Sequence, residues 1–275
     1  MSFEVIIKYC FQPKNTFKMK KNNFYLLQLV FIIVLFFSCK KNDENINIKP
    51  ATAIDKYNFP VKPGTPAWAN LKSGQEMVDA CQVPESVLKT ISTEGLMETC
   101  LDYPLLLEML AYNNLQYGTQ VQLKNFNGFV ALNKRPDAGT LLFNHYKKMN
   151  PDSSFSTMTL IQKGAYSFKF TFIEMILAQD EYLQKLSINE RKTLIQESLL
   201  KYQAKSNNID IYGTFGLETS AYLMARIMLF DQYQPFVNAV NSDQFLKGFV
   251  TNVLLQSGIE NKTLNSIVNY SKNYK

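Results

Sequence analysis

Between Ser187 and Lys205 the chain sets Ile188, Arg191, Leu194, Ile195, Leu199 and Tyr202 on one side of a helix, opposite Lys192, Gln196 and Lys201. Ser187 and Glu190 stand at capping-box spacing ahead of that pattern. Further on, Phe245, Leu246, Phe249, Val250, Val253 and Leu254 form one stripe, which predicts a helix running to a stop at Gly258. The stretch "LETSAYLMARIMLF" is apolar nearly all round and predicts a central helix, with a last helix near 262–272 packed on it. Ser73, Pro84, Ser92 and Pro104 punctuate a run of short helices, and Pro136 opens another.

Two stretches also read as strand. "VQLKNFNGFVAL" carries Asn127-Gly128 between alternating apolar positions, a hairpin signal, and "YSFKFTFI" alternates with period two. Both are read as mostly helical, because a lone two-stranded ribbon is marginal in water. The expectation is one all-α domain over residues 67–275. It would contain about eleven short helices stacked as antiparallel pairs in the manner of an α/α superhelix, with an irregular helical bundle bearing a small β-hairpin as the alternative.

A different pattern stands near the start. Lys18, Lys20 and Lys21 precede an apolar run from Phe24 to Phe37 interrupted only by Gln28, and Ser38-Cys39-Lys40-Lys41 follows. A membrane-spanning helix needs roughly 20 apolar residues, so this shorter run predicts an export signal. Phe36-Phe37-Ser38-Cys39 resembles the lipobox of bacterial lipoproteins processed by signal peptidase II, and the phenylalanine-rich box followed by two lysines is similar to those of Bacteroidetes. It departs from the commoner box in holding Phe36 where leucine is usual, with Leu35 one residue further out. The resemblance implies cleavage after Ser38, acylation of Cys39 with chains such as palmitate, and a lipid anchor in the outer membrane. Residues 1–18 fit no part of such a signal, so translation is expected to begin at Met19. Residues 39–66, polar and then broken by Pro50, Pro60, Pro63 and Pro66, are expected to form a flexible tether.

Processing changes the charge argument. The chain has 29 basic and 23 acidic side chains, of which residues 1–38 hold five lysines and Glu4, so from Cys39 onward there are 24 against 22. That near-neutral balance, with Arg135, Arg191 and Arg226 the only arginines, gives no support to a nucleic-acid partner.

Catalytic patterns are sparse. His145 is the only histidine, which excludes a histidine-paired zinc site and leaves one residue for any histidine-activated nucleophile. No phosphate-binding loop, dinucleotide fingerprint or nucleophile elbow occurs, and Gly213 and Gly216 read as a turn before a helix. No cofactor and no metal are therefore expected. Cys81 and Cys100 form either a disulfide or two small buried residues. Glu94, Glu98 and Asp102 share one helix face and read as solvated. Glu174 and Arg226 each lie among apolar neighbours, which predicts that they pair in the core or at a groove, since a buried charge needs a partner. Tyr112 and Tyr117 are candidates to face the core or to stack on sugars.

These readings favour a non-enzymatic lipoprotein whose helical domain binds a protein or ligand. The alternatives are a glycan-binding accessory protein of a polysaccharide-uptake system and a carboxylate-based hydrolase. Helical lipoproteins of the starch-utilisation type share the expected anchor and fold class, but they are larger and none of their diagnostic motifs occurs here. A hydrolase would need two acids about 5–10 Å apart in a cleft, and no such pair stands out in the sequence.

Overall fold

Ser73, Ser92 and Ser187 each accept a backbone N–H at the start of a helix in the computed structural model, which describes residues 55–274. The elements are α1 (Pro66–Ala69), α2 (Gly74–Ala80), α3 (Glu85–Thr90), α4 (Thr93–Leu101), a 3-10 segment (Leu106–Ala111), α5 (Leu115–Asn125), α6 (Asn127–Asn133) and α7 (Ala138–Lys148). They continue through a 3-10 turn (Phe155–Thr157), α8 (Leu160–Leu177), α9 (Asp180–Leu183), α10 (Ile188–Asn207), α11 (Ile209–Phe230), α12 (Gln234–Ser242), α13 (Gln244–Asn252) and α14 (Glu260–Asn273). No strand occurs among the described residues, so the fold is all-α.

The two ambiguous stretches are helical for identifiable reasons. In α8, Tyr166 packs on Phe170 and Phe168 on Phe172, with ring centroids 5.6 and 6.1 Å apart. A spacing of four satisfies both a two-residue and a 3.6-residue period, so alternation alone did not separate strand from helix. Thr159 and Gln162 close a capping box that starts this helix. Asn127-Gly128 does not turn a hairpin. The Asn127 side chain accepts from Val83 N–H at 2.9 Å and donates to Val83 C=O at 2.8 Å, tying the start of α6 to the segment before α3. Gly128 has no room for a side chain, because a Cβ would lie 2.3 Å from the Phe126 ring.

Helix α11 is the central element, as its uniformly apolar sequence predicts. It packs most extensively on α10 and α8 and carries α14 on a further side. Tyr222, Leu223, Met224, Ala225, Ile227 and Met228 within it are all inaccessible to solvent. Each large apolar side chain so buried contributes about 1.5–3 kcal/mol against the chain entropy lost on folding.

Two boundaries and one helix face differ from expectation. The C-terminal stripe does not run to Gly258: α13 ends at Asn252, and Val253 adopts a left-handed conformation at φ 57°. The buried face of α10 includes Leu194 and Ile195 as expected but continues through Ser198, Lys201 and Lys205, while Ile188 is 53% exposed. The part of the expected tether from Asp55 to Pro66 is packed on the domain. Asp55 accepts from Ser92 N–H at 2.7 Å and from its hydroxyl, Lys56 pairs with Asp102, and Phe59 is buried against Tyr103 and Phe126. The export signal, Cys39 and the expected start at Met19 lie outside the described residues, and no described helix is long and apolar enough to cross a membrane.

Candidate functional site

The site is positioned by a buried polar cluster. Glu174 of α8 accepts from Lys205 Nζ on both oxygens at 2.8 Å, from Tyr146 Oη and Ser220 Oγ at 2.8 Å, and from Thr219 Oγ1 at 2.5 Å. Lys205 also donates to Gly216 C=O at 3.1 Å and Ser220 Oγ at 3.0 Å, so its three N–H bonds all have partners. The rings of Phe170 and Tyr212 flank the ammonium at 4.9 and 5.7 Å. Neither Glu174 nor Lys205 is accessible. Burial pushes the Lys205 amine down, and Glu174 pulls it back up. With no solvent route to these groups, the cluster is a fastener: it joins α7, α8, α10 and α11.

The fastener fixes the rotation of α11 about its axis. Gly216, Thr219 and Ser220 face the cluster, and Glu218, about 100° around the helix from Thr219, is thereby turned elsewhere. The helix is also broken at Gly213, whose φ 60° and ψ 178° are open essentially to glycine alone. Thr214 and Glu218, one turn apart beyond that break, line a cleft of about 500 Å³. Its other walls are Val253, Leu254 and Leu255 after α13, and Glu260 and Asn261 at the start of α14.

Within the cleft the two carboxylates differ in environment. Glu260 Oε2 accepts from Gly258 N–H at 2.8 Å. Glu218 is partly buried and has no hydrogen-bond or ion-pair partner among the described residues. Desolvation, with the Glu260 charge adding to it, pushes the Glu218 carboxyl up to about 7. A left-handed β-branched residue is uncommon, and Val253 holds that shape with its side chain buried and its N–H bonded to Phe249 C=O at 2.8 Å. The reversal leaves Leu254 53% exposed at the cleft. Perturbed carboxyls and strained backbone concentrate at functional sites, and here both line one opening.

A second cleft, of about 330 Å³, lies between α3 and α6, and of its polar side chains all but Lys134 already have partners among the described residues. Arg135 donates to Leu88 and Ile91 carbonyls, Asn127 is bonded to Val83, and Lys89 lies 3.5 Å from Glu85.

The candidates read from sequence take other roles. Glu174 and Arg226 do not pair: Glu174 meets Lys205, and Arg226 reaches Asp180 at 2.6 Å and Ala178 C=O at 3.3 Å. The buried Glu174 does take a cation, but the lysine that supplies it lies one turn after Lys201, which the sequence pattern sets on the polar side of α10. Cys81 and Cys100 are separate free thiols, both buried, so they pack rather than bond. The face of Glu94, Glu98 and Asp102 is only partly solvated, because His145 Nδ1 lies 2.9 Å from Glu98 and Lys56 pairs with Asp102. The hydrogen bond from His145 holds the Glu98 carboxyl below its ordinary range. Tyr112 and Tyr117 meet edge to face at 5.6 Å, with Tyr117 half exposed. Glu218 was missed; its only signal was a lone acid opening the apolar run "LETSAYLM".

The chain matches no family model, no curated protein and no solved structure.

Proposed function

We propose that this protein is a lipid-anchored component of the bacterial outer membrane whose helical domain binds a small ligand in the cleft between α11 and α14. The anchor rests on the basic residues, apolar run and Ser38-Cys39 junction. The binding role rests on one observation above others: a partly buried Glu218 without a partner among the described residues, lining an opening of about 500 Å³. We read the helices as a stack of antiparallel pairs of the α/α superhelix kind, with α10 and α11 as its longest pair. The domain is read as a binding module rather than an enzyme; hydrolysis by a carboxylate pair would use Glu218 and Glu260.

The anchor is tested by labelling cells with a clickable fatty acid. Label is expected on the wild-type protein and absent from Cys39→Ala; label on the variant overturns the anchor. The cleft is tested by screening small polar compounds against the Val253, Leu254 and Leu255 methyl resonances. A library that shifts none of them argues against a ligand site there.

A second reading, glycan binding, is favoured by the exposed face of Tyr117 beside Tyr112. Retention on polysaccharide gels that is lost in Tyr117→Ala would support it.

A further inference from the structure

The residues around Glu218 narrow the chemistry of what the cleft accepts. Of the seven residues that line it, the only titratable ones are Glu218 on α11 and Glu260 on α14, both acidic. The segment between α13 and α14 contributes Val253, Leu254 and Leu255, which are apolar, and Thr214 and Asn261 complete the wall without charge. An anionic ligand would meet two carboxyls and no cation. A neutral apolar ligand would cover Glu218 and deepen a desolvation that nothing repays, since a buried ionised group without a partner is costly.

We propose that the cleft takes a small ligand bearing an ammonium group on a short apolar body, with the ammonium against Glu218 and the body against Val253, Leu254 and Leu255. This rests on the reading of the cleft as a ligand site. The arrangement supplies what such a ligand needs. Among the described residues no side chain or backbone N–H occupies the acceptor oxygens of Glu218, and Glu260 keeps one oxygen free while Gly258 N–H takes the other. The left-handed turn at Val253 ends the helix early and brings Leu254, half exposed, to the rim as a contact for methylenes. The Lys205 cluster holds α11 in the rotation that points Glu218 outward, so the acceptor is set before the ligand arrives.

Charge pairing also links binding to protons. At neutral pH and below, Glu218 holds a proton part of the time, and that proton must leave to solvent before the ammonium is paired. Affinity for an amine that stays protonated throughout is therefore set by the ionised fraction of Glu218.

The test uses the full-length chain in detergent, titrated calorimetrically with n-pentylammonium, n-pentanol and pentanoate at pH 8 and pH 5.5. Methyl spectra of Val253, Leu254 and Leu255 report where each compound binds. Pentylammonium is expected to bind at pH 8 and to weaken by roughly 30-fold at pH 5.5, following the loss of ionised Glu218. In Glu218→Gln it should bind no better than pentanol. Pentanol or pentanoate binding as tightly as pentylammonium at these methyls overturns the ammonium assignment while leaving the cleft a ligand site. Pentylammonium binding that is the same at both pH values, or in Glu218→Gln, also overturns it. If none of the three compounds perturbs the methyls, the ammonium assignment falls and the cleft reading falls with it. The pH series on the wild-type chain decides the matter without any variant.

Discussion

Lys205 of α10 and Glu174 of α8 meet at 2.8 Å with neither side chain accessible to solvent. A charge pair at that depth is stable only because every remaining donor and acceptor is used: Tyr146, Thr219 and Ser220 give to the carboxylate, and Gly216 C=O takes from the ammonium. Four helices are thereby held in one register, and Glu218 is aimed at the cleft as a consequence.

Removing either member of that pair leaves the other buried and unpaired. Lys205→Met and Glu174→Leu are each expected to lower unfolding stability by about 3–5 kcal/mol, measured by chemical denaturation. The double variant should not recover full stability, because Tyr146, Thr219 and Ser220 would then lack their shared acceptor.

Glu218 makes stability depend on pH in a defined direction. Its carboxyl is raised to about 7 in the folded chain, against about 4.3 when unfolded. The stabilisation from the extra bound proton is complete below about pH 4.3 and is lost as pH rises through about 7. Glu218→Gln is expected to melt with the wild type at pH 4 and to be the more stable protein at pH 8. The gain should be on the order of 1 kcal/mol after discounting for partial exposure.

Asn127 joins α6 to the segment ahead of α3 through both its amide oxygen and its amide nitrogen. Asn127→Ala strands the Val83 N–H and C=O, and a loss of about 1–3 kcal/mol is expected in urea unfolding. Asn127→Asp should restore the bond from Val83 N–H and not the one to Val83 C=O, giving an intermediate value.

The thiols answer a chemical question left open by the sequence. Burial pushes Cys81 up to about 12 and raises Cys100 well above the ordinary thiol range. Native protein is expected to resist alkylation at both positions. Denatured protein should be labelled at both without any reductant, and labelling that requires reductant would establish a disulfide instead.

Residues 55–59 form a strap whose release can be followed by proteolysis. The Ser92 hydroxyl and backbone N–H hold the Asp55 carboxyl below its ordinary value, so this contribution is present above about pH 3.9 and is lost as pH falls through the lowered value. Asp55→Ala should speed cleavage near Lys56 and Lys62 at neutral pH, whereas cleavage at Lys205 should not change.

Much of the helical plan was legible because its determinants are local. A serine three residues ahead of the N–H it caps, or a proline that fits only the first turn, acts within a few residues of its own position. The strand signals competed with the helical reading for a related reason, since the spacing of four in Tyr166–Phe170 and Phe168–Phe172 satisfies both periodicities at once. The end of α13 was not legible, because what halts it is a single valine in a conformation its own side chain disfavours, held by surrounding contacts.

By itself the sequence determined the all-α character, the serine caps, the central place of α11 and the restriction of any histidine chemistry to His145, all of which follow from composition and short-range spacing. Only the tertiary structure decided that Lys205 rather than Arg226 answers Glu174, that Asp55 straps the N-terminal segment to α4, and that Glu218 and Glu260 share one cleft. The physical reason is that pairing energies depend on which distant residues packing brings within a few ångströms and how much water it excludes, and neither quantity is written in any local stretch of chain.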